Sequence, residues 1–339
     1  KVFSFHRSNR VHGLFFYELK KTFICQKGLV LFLACIMIQI FILSQYNDYF
    51  GTDEYYYQNY IDQFGDRIDD QTDEKLQNEE RRIAALYTEL ETTENSVTAY
   101  KLQQELECEG GFQRYADRVR ELREDGRSPL LLKDAQYTLL FTNTPLSRSW
   151  VILLCMSFAF LVISDFYREK TTHMELLQKS SLFGRRKLFY FKFLTLLLYF
   201  IPFCLLGAVL RLIWSSSHYR LDWDAPANCL EIFRETGITC SIRSIFFLGT
   251  LLQCIFVVLA LLLLSRLAEL SKRRYLMPAI ILGCTVIPTL LSPYFPVAWL
   301  QIVHNLFFIF TASVYFISGT LLILAVCAAF ITERKMRNE

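Results

Sequence analysis

This chain of 339 residues lacks the short motifs that mark the commonest catalytic sites. It has no G-x-x-x-x-G-K-[ST] phosphate-binding loop, no H-E-x-x-H pair and no G-x-S-x-G turn, so it does not hydrolyse ATP through a P-loop of its own. No C-x-x-C pair occurs among its ten cysteines, which argues against a zinc site and against thioredoxin-type redox chemistry. The sequence therefore indicates no catalytic residues and no metal ligands.

Long apolar stretches are the main feature that the sequence does have. A helix of about 20 apolar residues rises about 30 Å, which is enough to cross the hydrocarbon core of a bilayer. We therefore predict an all-α polytopic membrane protein with six transmembrane helices and a large helical extracytoplasmic domain inserted between the first two. The predicted spans are 24–45, 147–166, 189–213, 244–265, 276–292 and 304–331.

Carboxylates are missing from the middle of the predicted spans, which argues against a proton- or sodium-coupled carrier. The basic residues Lys192 and Arg211 lie near span ends, where a long side chain can reach water. The energy for any transport is then expected to come from a partner chain.

The basic residues indicate how the spans are oriented. Nineteen Lys and Arg residues fall in the N-terminal segment, in two alternate short loops and in the tail, against three in the short loops on the other side. By the positive-inside rule both termini are cytoplasmic. The segments assigned on this basis are a cytoplasmic amphipathic segment 1–23, an extracytoplasmic domain 46–146, a cytoplasmic loop 167–188, an outer loop 214–243, an outer segment 293–303 and a cytoplasmic tail 332–339.

The inserted domain is acidic and shows a helical pattern. Residues 45–149 hold 12 Lys/Arg against 22 Asp/Glu. Between residues 71 and 125 apolar residues recur at helical spacing, interrupted at Gly110-Gly111, which predicts one long and one short antiparallel helix. Its apolar positions are Leu76, Ile83, Leu90, Val97, Leu102, Leu106, Phe112, Tyr115, Val119 and Leu122. A stripe this narrow is typical of a coiled-coil seam and needs a partner, either the second helix or another copy of the chain.

Two further features of the predicted outer segments suggest local structure. The tyrosine-rich stretch 44–60 favours an aromatic belt where the first span leaves the membrane, with a ligand-contact surface as the alternative. Cys229 and Cys240 both fall in the loop 214–243, where an oxidising exterior would permit a disulfide.

The most informative local motif is the basic segment 168–187 between the second and third predicted spans. Glu169 is followed by Glu175-Leu176-Leu177, by Lys179 and a Ser pair, by Arg185, and by Lys192 just inside the next span. This order resembles the membrane subunit of ABC-2 type transporters, although His173-Met174 and Leu182 stand where that family often has Gly-Thr and Pro.

The resemblance implies a permease that uses the ATP hydrolysed by another subunit. ATP and Mg²⁺ would be bound by that ABC ATPase, and this chain would bind no cofactor. Its segment 167–188 would be a coupling loop, with contacts made by Glu169, Glu175, Leu176, Leu177, Lys179 and Arg185. The alternative is that segment 167–188 is an ordinary basic loop whose only role is to fix the topology of the spans.

The family resemblance also implies partners and a location. We expect a dimer with a second copy or a related permease subunit, in contact with membrane lipid and not with nucleic acid, in a bacterial plasma membrane. The uncharged segment 293–303 contains Pro293, Pro296 and Trp299 and predicts either a re-entrant outer gate or an interfacial loop. A sensor or mechanical transmitter that signals through its extracytoplasmic domain without moving a substrate is the alternative function.

Overall fold

The computed structural model describes residues 14–46, 50–125, 130–141, 145–171, 184–234, 238–270, 287–291 and 294. Most of these residues are helical and none forms a β-strand, which agrees with the predicted all-α membrane protein. The chain divides into two compact units. We call residues 1–46, 139–218 and 246–339 the apolar unit, and residues 47–138 and 219–245 the polar unit.

The apolar unit begins with a short helix and a sharp turn. Residues 14–20 (α1) are α-helical and continue into a π-helical turn, Lys21–Cys25. Lys27 then adopts the left-handed conformation at φ 58°, and α2 starts at once as Gly28–Gln45. A Cβ on Gly28 would lie 2.6 Å from the carbonyl oxygen of Thr22, so the close turn requires glycine. The predicted span 24–45 therefore starts four residues later than expected.

Three of the remaining described helices of this unit are longer than the apolar stretches that predicted them. Polar residues at both ends of the apolar stretch continue the backbone hydrogen bonding, so each helix extends beyond the stretch that predicted it. The remaining described helices are α8 Pro145–Thr171, α9 Gly184–His218, α11 Ile242–Leu270 and the short α12 Ile287–Leu291.

Three helices of the described residues are long and apolar enough to cross a membrane. They are Gly28–Gln45, Leu188–His218 and Ile242–Leu259, and they match the first, third and fourth predicted spans. The second predicted span contains a shorter apolar helix, Arg148–Val162, within α8. The sixth predicted span and most of the fifth lie outside the described residues.

One hydrophobic cluster joins α2, α8, α9 and α11 within the apolar unit. Aromatic rings dominate it: Trp150 stacks on Phe203 with ring centroids 4.4 Å apart, and Phe158 lies 5.0 Å from Phe200. Its most deeply buried aliphatic residues are Val151, Leu161, Val162, Leu196 and Leu261. Close van der Waals packing of these large side chains stabilises the bundle, because lipid tails are as apolar as the core and burial from them adds little.

The polar unit is built from short helices connected by tight turns. Gly65, at φ 104°, ends α3 in a conformation that only glycine adopts without strain. Asn95 caps α5 by accepting a hydrogen bond from the amide of Val97 at 3.0 Å. The helices are α3 Thr52–Phe64, α4 Thr72–Thr92, α5 Ser96–Leu106, α6 Glu109–Asp125, α7 Asp134–Phe141 and α10 Glu231–Arg234.

Helix breaks in this unit differ from the prediction. The structure has three helices between residues 72 and 125, with breaks at Thr93–Asn95 and at Glu107-Cys108. Gly110-Gly111 lies inside α6 and serves a different purpose: a Cβ on Gly111 would lie 2.7 Å from the amide nitrogen of Tyr57. The glycine pair therefore lets α3 and α6 approach closely, and the predicted two-helix arrangement is wrong.

The tyrosine-rich stretch is also placed differently from the favoured prediction. Tyr57 and Tyr60 are 1% and 4% exposed and lie in the core between α3 and α6, together with Phe112 and Tyr115. The hydroxyl of Tyr57 donates to the carbonyl of Leu132 at 3.2 Å. An aromatic belt is therefore the wrong interpretation for these two residues, because their rings are enclosed by protein.

The predicted outer loop 214–243 divides between the two units after residue 218, and residues 219–245 form one unit with 47–138. Within this segment the amide of Ala227 donates to the carbonyl of Cys240 at 2.9 Å, and the amide of Ile242 donates to the carbonyl of Ala225 at 3.0 Å. Cys229 is buried and Cys240 is exposed. Their predicted bond is thus not formed in this structure and stays a prediction.

Candidate functional site

The predicted coupling residues fall mainly outside the described part of the chain. The backbone of Glu169 is part of α8, and the backbone of Arg185 is part of the first turn of α9. Glu175, Leu176, Leu177 and Lys179 occupy residues 172–183 between these helices, which lie outside the described residues. Pro293, Pro296 and Trp299 of the predicted gate lie outside them too.

Inside the apolar unit, polar side chains link helices in pairs; Gln39 and Arg211 are buried, and Ser149 and Gln253 are partly buried. We call Gln39, Ser149, Arg211 and Gln253 the buried polar layer. The hydroxyl of Ser149 donates to Gln39 Oε1 at 3.0 Å, which links α8 to α2. Arg211 donates through Nη2 to Gln253 Oε1 and through Nε to the carbonyl of Gly207, each at 3.4 Å, which links α9 to α11.

Two further contacts determine how closely α2, α8 and α9 approach one another. The indole nitrogen of Trp214 donates to the carbonyl of Leu43 at 3.2 Å, which joins α9 to α2. The indole of Trp150 lies directly on Gly207, where any Cβ would overlap it, and this joins α8 to α9. The buried polar layer is therefore part of a tightly packed, mutually hydrogen-bonded bundle.

Arg211 and Lys192 correct an expectation from the sequence. Both were expected to extend to water from the ends of their spans, yet each is only 5% exposed. A charged side chain is costly in an apolar surrounding and is retained in candidate membrane spans mainly where it serves packing or function. The bundle at Arg211 is accordingly the strongest candidate in the apolar unit for a functional position.

In the polar unit, the largest polar cluster surrounds the contact between α6, α7 and residues 219–234. Arg118, 7% exposed, donates to the carbonyl of Cys229 at 2.7 Å. The amide of Asp222 donates to the hydroxyl of Tyr137 at 2.8 Å, and the amide of Glu231 donates to Asp134 Oδ1 at 3.3 Å. These bonds attach a distant stretch of chain to the helices.

A second polar cluster lies between α3, α4 and the start of α6. The Tyr60 hydroxyl donates to Glu79 at 2.6 Å, and Arg82 forms two hydrogen bonds to the same carboxylate. Arg82 also contacts the sulfur of Cys108 at 3.3 Å. Burial and the bond to Glu79 raise the pKa of Tyr60 well above its usual range, so this cluster holds a neutral phenol.

Among the described residues, no group of three or more His, Cys, Asp or Glu side chains is arranged to hold a metal ion.

No family model matches the chain, and no curated protein and no solved structure gives a significant match.

The polar contacts described above were not evident in the sequence. Arg118 and Cys229 are 111 residues apart, and no local periodicity connects them. The only available signal was composition: an Arg at the buried face of an amphipathic helix has to find a partner. The same holds for Arg211, whose neighbour Gln253 looks like an ordinary polar residue in an apolar run.

Proposed function

We propose that this chain is the permease subunit of an ATP-driven ABC exporter, which forms a membrane pathway for an amphipathic substrate such as a peptide, a lipid-like molecule or a drug. The observation that carries the proposal is the family-like segment 168–187, which connects two apolar helices. Supporting it, the central E-L-L motif lies along the chain between the described helices α8, Pro145–Thr171, and α9, Gly184–His218.

In the proposed mechanism this connection contacts a separate ATPase subunit. Leu176 and Leu177 would fill an apolar groove on that subunit, while charged neighbours of the same segment set its orientation. ATP binding by two ATPase subunits, with Mg²⁺ bound there, would rock the attached helices as rigid bodies. Two copies of this chain, or this chain and a related one, would line the pathway in a bacterial plasma membrane with all termini in the cytoplasm.

The packing of the apolar unit supports a rigid-body mechanism. Helices joined by stacked rings and by the buried polar layer move together more readily than they deform, because packed cores are bistable and not continuously compressible. The predicted gate at Pro293, Pro296 and Trp299 would respond to that movement on the outer side.

A specific observation favours a second function, that of a mechanical transmitter which uses ATP without moving a substrate. The polar unit has a closed core of its own and combines two predicted extracytoplasmic segments in one compact body. A rigid body inserted between spans is suited to pass a movement to a partner outside the membrane.

The experiment replaces Leu176 and Leu177 together with Asp in the full chain, reconstituted in vesicles with the ATPase that co-purifies with it. We expect substrate-stimulated ATP hydrolysis to fall at least about tenfold, because two buried apolar contacts worth roughly 1.4 kcal/mol or more in total are lost. The ATPase assay and a transport assay with amphipathic peptides and dyes are the measurements.

The matched control replaces Ser180 and Ser181 with Asp, which adds the same charge to the same segment without removing apolar side chains. This control should keep stimulated hydrolysis. Equal activity in the double-leucine variant and the wild type would refute coupling through this segment, and hydrolysis without transport of any tested substrate would favour the transmitter.

A further inference from the structure

Residues 219–234 are attached to α6 and α7 by hydrogen bonds and an ion pair. On α7, Asp134 and Tyr137 each accept a hydrogen bond from a backbone amide of this segment, at 3.3 Å and 2.8 Å. On α6, Arg118 donates to the carbonyl of Cys229, and Glu121 forms an ion pair with Arg234. We call residues 219–234 the docked segment.

Asp134 is the exceptional member of this set, because its carboxyl is buried and forms no ion pair with any described residue. Its residue is 9% exposed, and the only hydrogen bond it accepts among the described residues is the long one from the amide of Glu231. No Lys or Arg nitrogen of the described residues comes within 4.0 Å of it, in contrast to Asp62, which binds Lys133 at 2.6 Å. A buried carboxylate held so weakly is costly, since it has lost its water.

The groups around Asp134 do not remove that cost. The nearby guanidinium of Arg118 is engaged by Cys229 and Glu121, and that of Arg114 is engaged by Glu54. The carboxylate of Glu231, on the docked segment itself, acts against ionisation of Asp134. The charged and titratable groups that face Asp134 are Arg114 and Arg118 from α6, Tyr57 from α3, Tyr137 from α7 and Glu231 from α10.

Burial is the largest influence on this carboxyl and raises the pKa of Asp134 to about 7, while Arg118 and the amide of Glu231 oppose the rise. An Asp in water titrates near pH 4. Loss of the docked segment would return Asp134 to water and to that ordinary value.

We propose that Asp134 makes the docking of residues 219–234 pH-dependent: the neutral acid keeps the segment closed on α6 and α7, and the ionised carboxylate loosens it. The sign follows from proton linkage. Because the docked state binds the proton more tightly, docking is strongest at acidic pH. The equilibrium constant for docking falls by up to about tenfold for each pH unit between about 4 and 7, and it changes little above pH 7. The proposal does not depend on what the apolar unit transports.

The test is hydrogen exchange of the full chain in nanodiscs between pH 5.5 and 8.5, with each amide corrected for its intrinsic exchange rate. In the wild type, we expect protection at Asp222 and Glu231 to fall about tenfold or more over this range. Asp134→Asn, which mimics the neutral acid, should keep these amides protected at both ends of the range.

Asp62→Asn is the matched control, since it removes an exposed carboxylate of the same unit. It should follow the wild-type profile. Glu231→Gln provides a second, independent variant: removal of the facing charge should move the transition to lower pH. A flat wild-type profile, or the same pH dependence in Asp134→Asn as in the wild type, would overturn the proposal. Core amides of Tyr115 and Val119 report whether each variant is folded.

Discussion

The two units of this chain differ in how the surface compares with the core. In the polar unit the core contains tyrosines, including Tyr57, Tyr60, Tyr115 and Tyr137, and its surface carries charges. In the apolar unit phenylalanine and leucine fill the core and also cover the outside, where Met37 is 69% exposed. Only a surrounding as apolar as the core makes such a surface stable, which is why the second unit reads as a membrane bundle.

Charge is also accommodated differently in the two units. The polar unit pairs its charges, as in the contacts of Arg114 with Glu54 and of Lys133 with Asp62. In the apolar unit the helix-linking polar bonds of Arg211, Ser149 and Cys35 go to neutral groups. Exposed ion pairs contribute at most about 1 kcal/mol each, so the core of the polar unit has to supply most of its stability.

The largest effect that would sharpen this comparison is the loss of a central tyrosine. Tyr115 is 0% exposed and contacts α3, so Tyr115→Ala should cost the polar unit about 3–5 kcal/mol through lost burial and a cavity. Hydrogen exchange of the full chain should show lower protection in α3 and α6, while α2 and α9 keep theirs.

Tyr100→Ala is the control for that experiment, because Tyr100 is 61% exposed and its truncation should cost no more than about 0.5 kcal/mol. Equal loss of protection in both units of the Tyr115 variant would show that they unfold as one, and the comparison between two separate cores would then fail.

Length and hydropathy were enough to find three of the described helices of the apolar unit. Gly28–Gln45, Leu188–His218 and Ile242–Leu259 all lie close to predicted spans, because an apolar run of this length has few other stable conformations. The ends differed where backbone geometry decides them, as at the left-handed Lys27 before α2. That turn depends on one dihedral angle, which hydropathy does not encode.

Periodicity found most of the buried positions between residues 71 and 125 but not where the helices break. Leu76 and Ile83 are buried as their spacing predicts, whereas Val97, in the same series, is 64% exposed because the chain turns at Asn95 before reaching it. The burial of Tyr57 depends on α6, which the glycine pair allows to approach. The attachment of residues 219–234 depends on single side chains over long separations, and those contacts leave no periodic signal.

The next largest effect compares a glycine in each unit. Gly111→Ala should destabilise the polar unit by about 1–3 kcal/mol, because the new methyl group meets the backbone of Tyr57 and of Asp53, which cannot turn away. Gly207→Ala should cost at least as much, since its methyl group would overlap the buried indole of Trp150, which is stacked on Phe203, and the gain in helix propensity of about 1 kcal/mol applies to both variants. Unit-resolved hydrogen exchange measures both.

Gly51→Ala is the reference for these variants, because a Cβ there meets nothing within 4 Å. We expect it to cost no more than about 1 kcal/mol, as a change at a helix N-cap. A Gly207 variant that loses less stability than the Gly111 variant would contradict this expectation and show that Trp150 can move aside in the apolar unit.

The smallest effects are opposite in sign and test the tyrosine hydroxyls. Tyr115 Oη is buried and has no hydrogen-bond partner among the described residues, so Tyr115→Phe should leave stability unchanged or raise it by up to about 1 kcal/mol. Tyr57→Phe removes the bond to Leu132 and should lower stability by about 1 kcal/mol. Burial raises the pKa of Tyr115 to about 12, so both hydroxyls are neutral at pH 7 and charge does not enter. Denaturant unfolding followed by tyrosine fluorescence compares the two directly, and a loss of stability in Tyr115→Phe would mean that its hydroxyl has a partner such as ordered water.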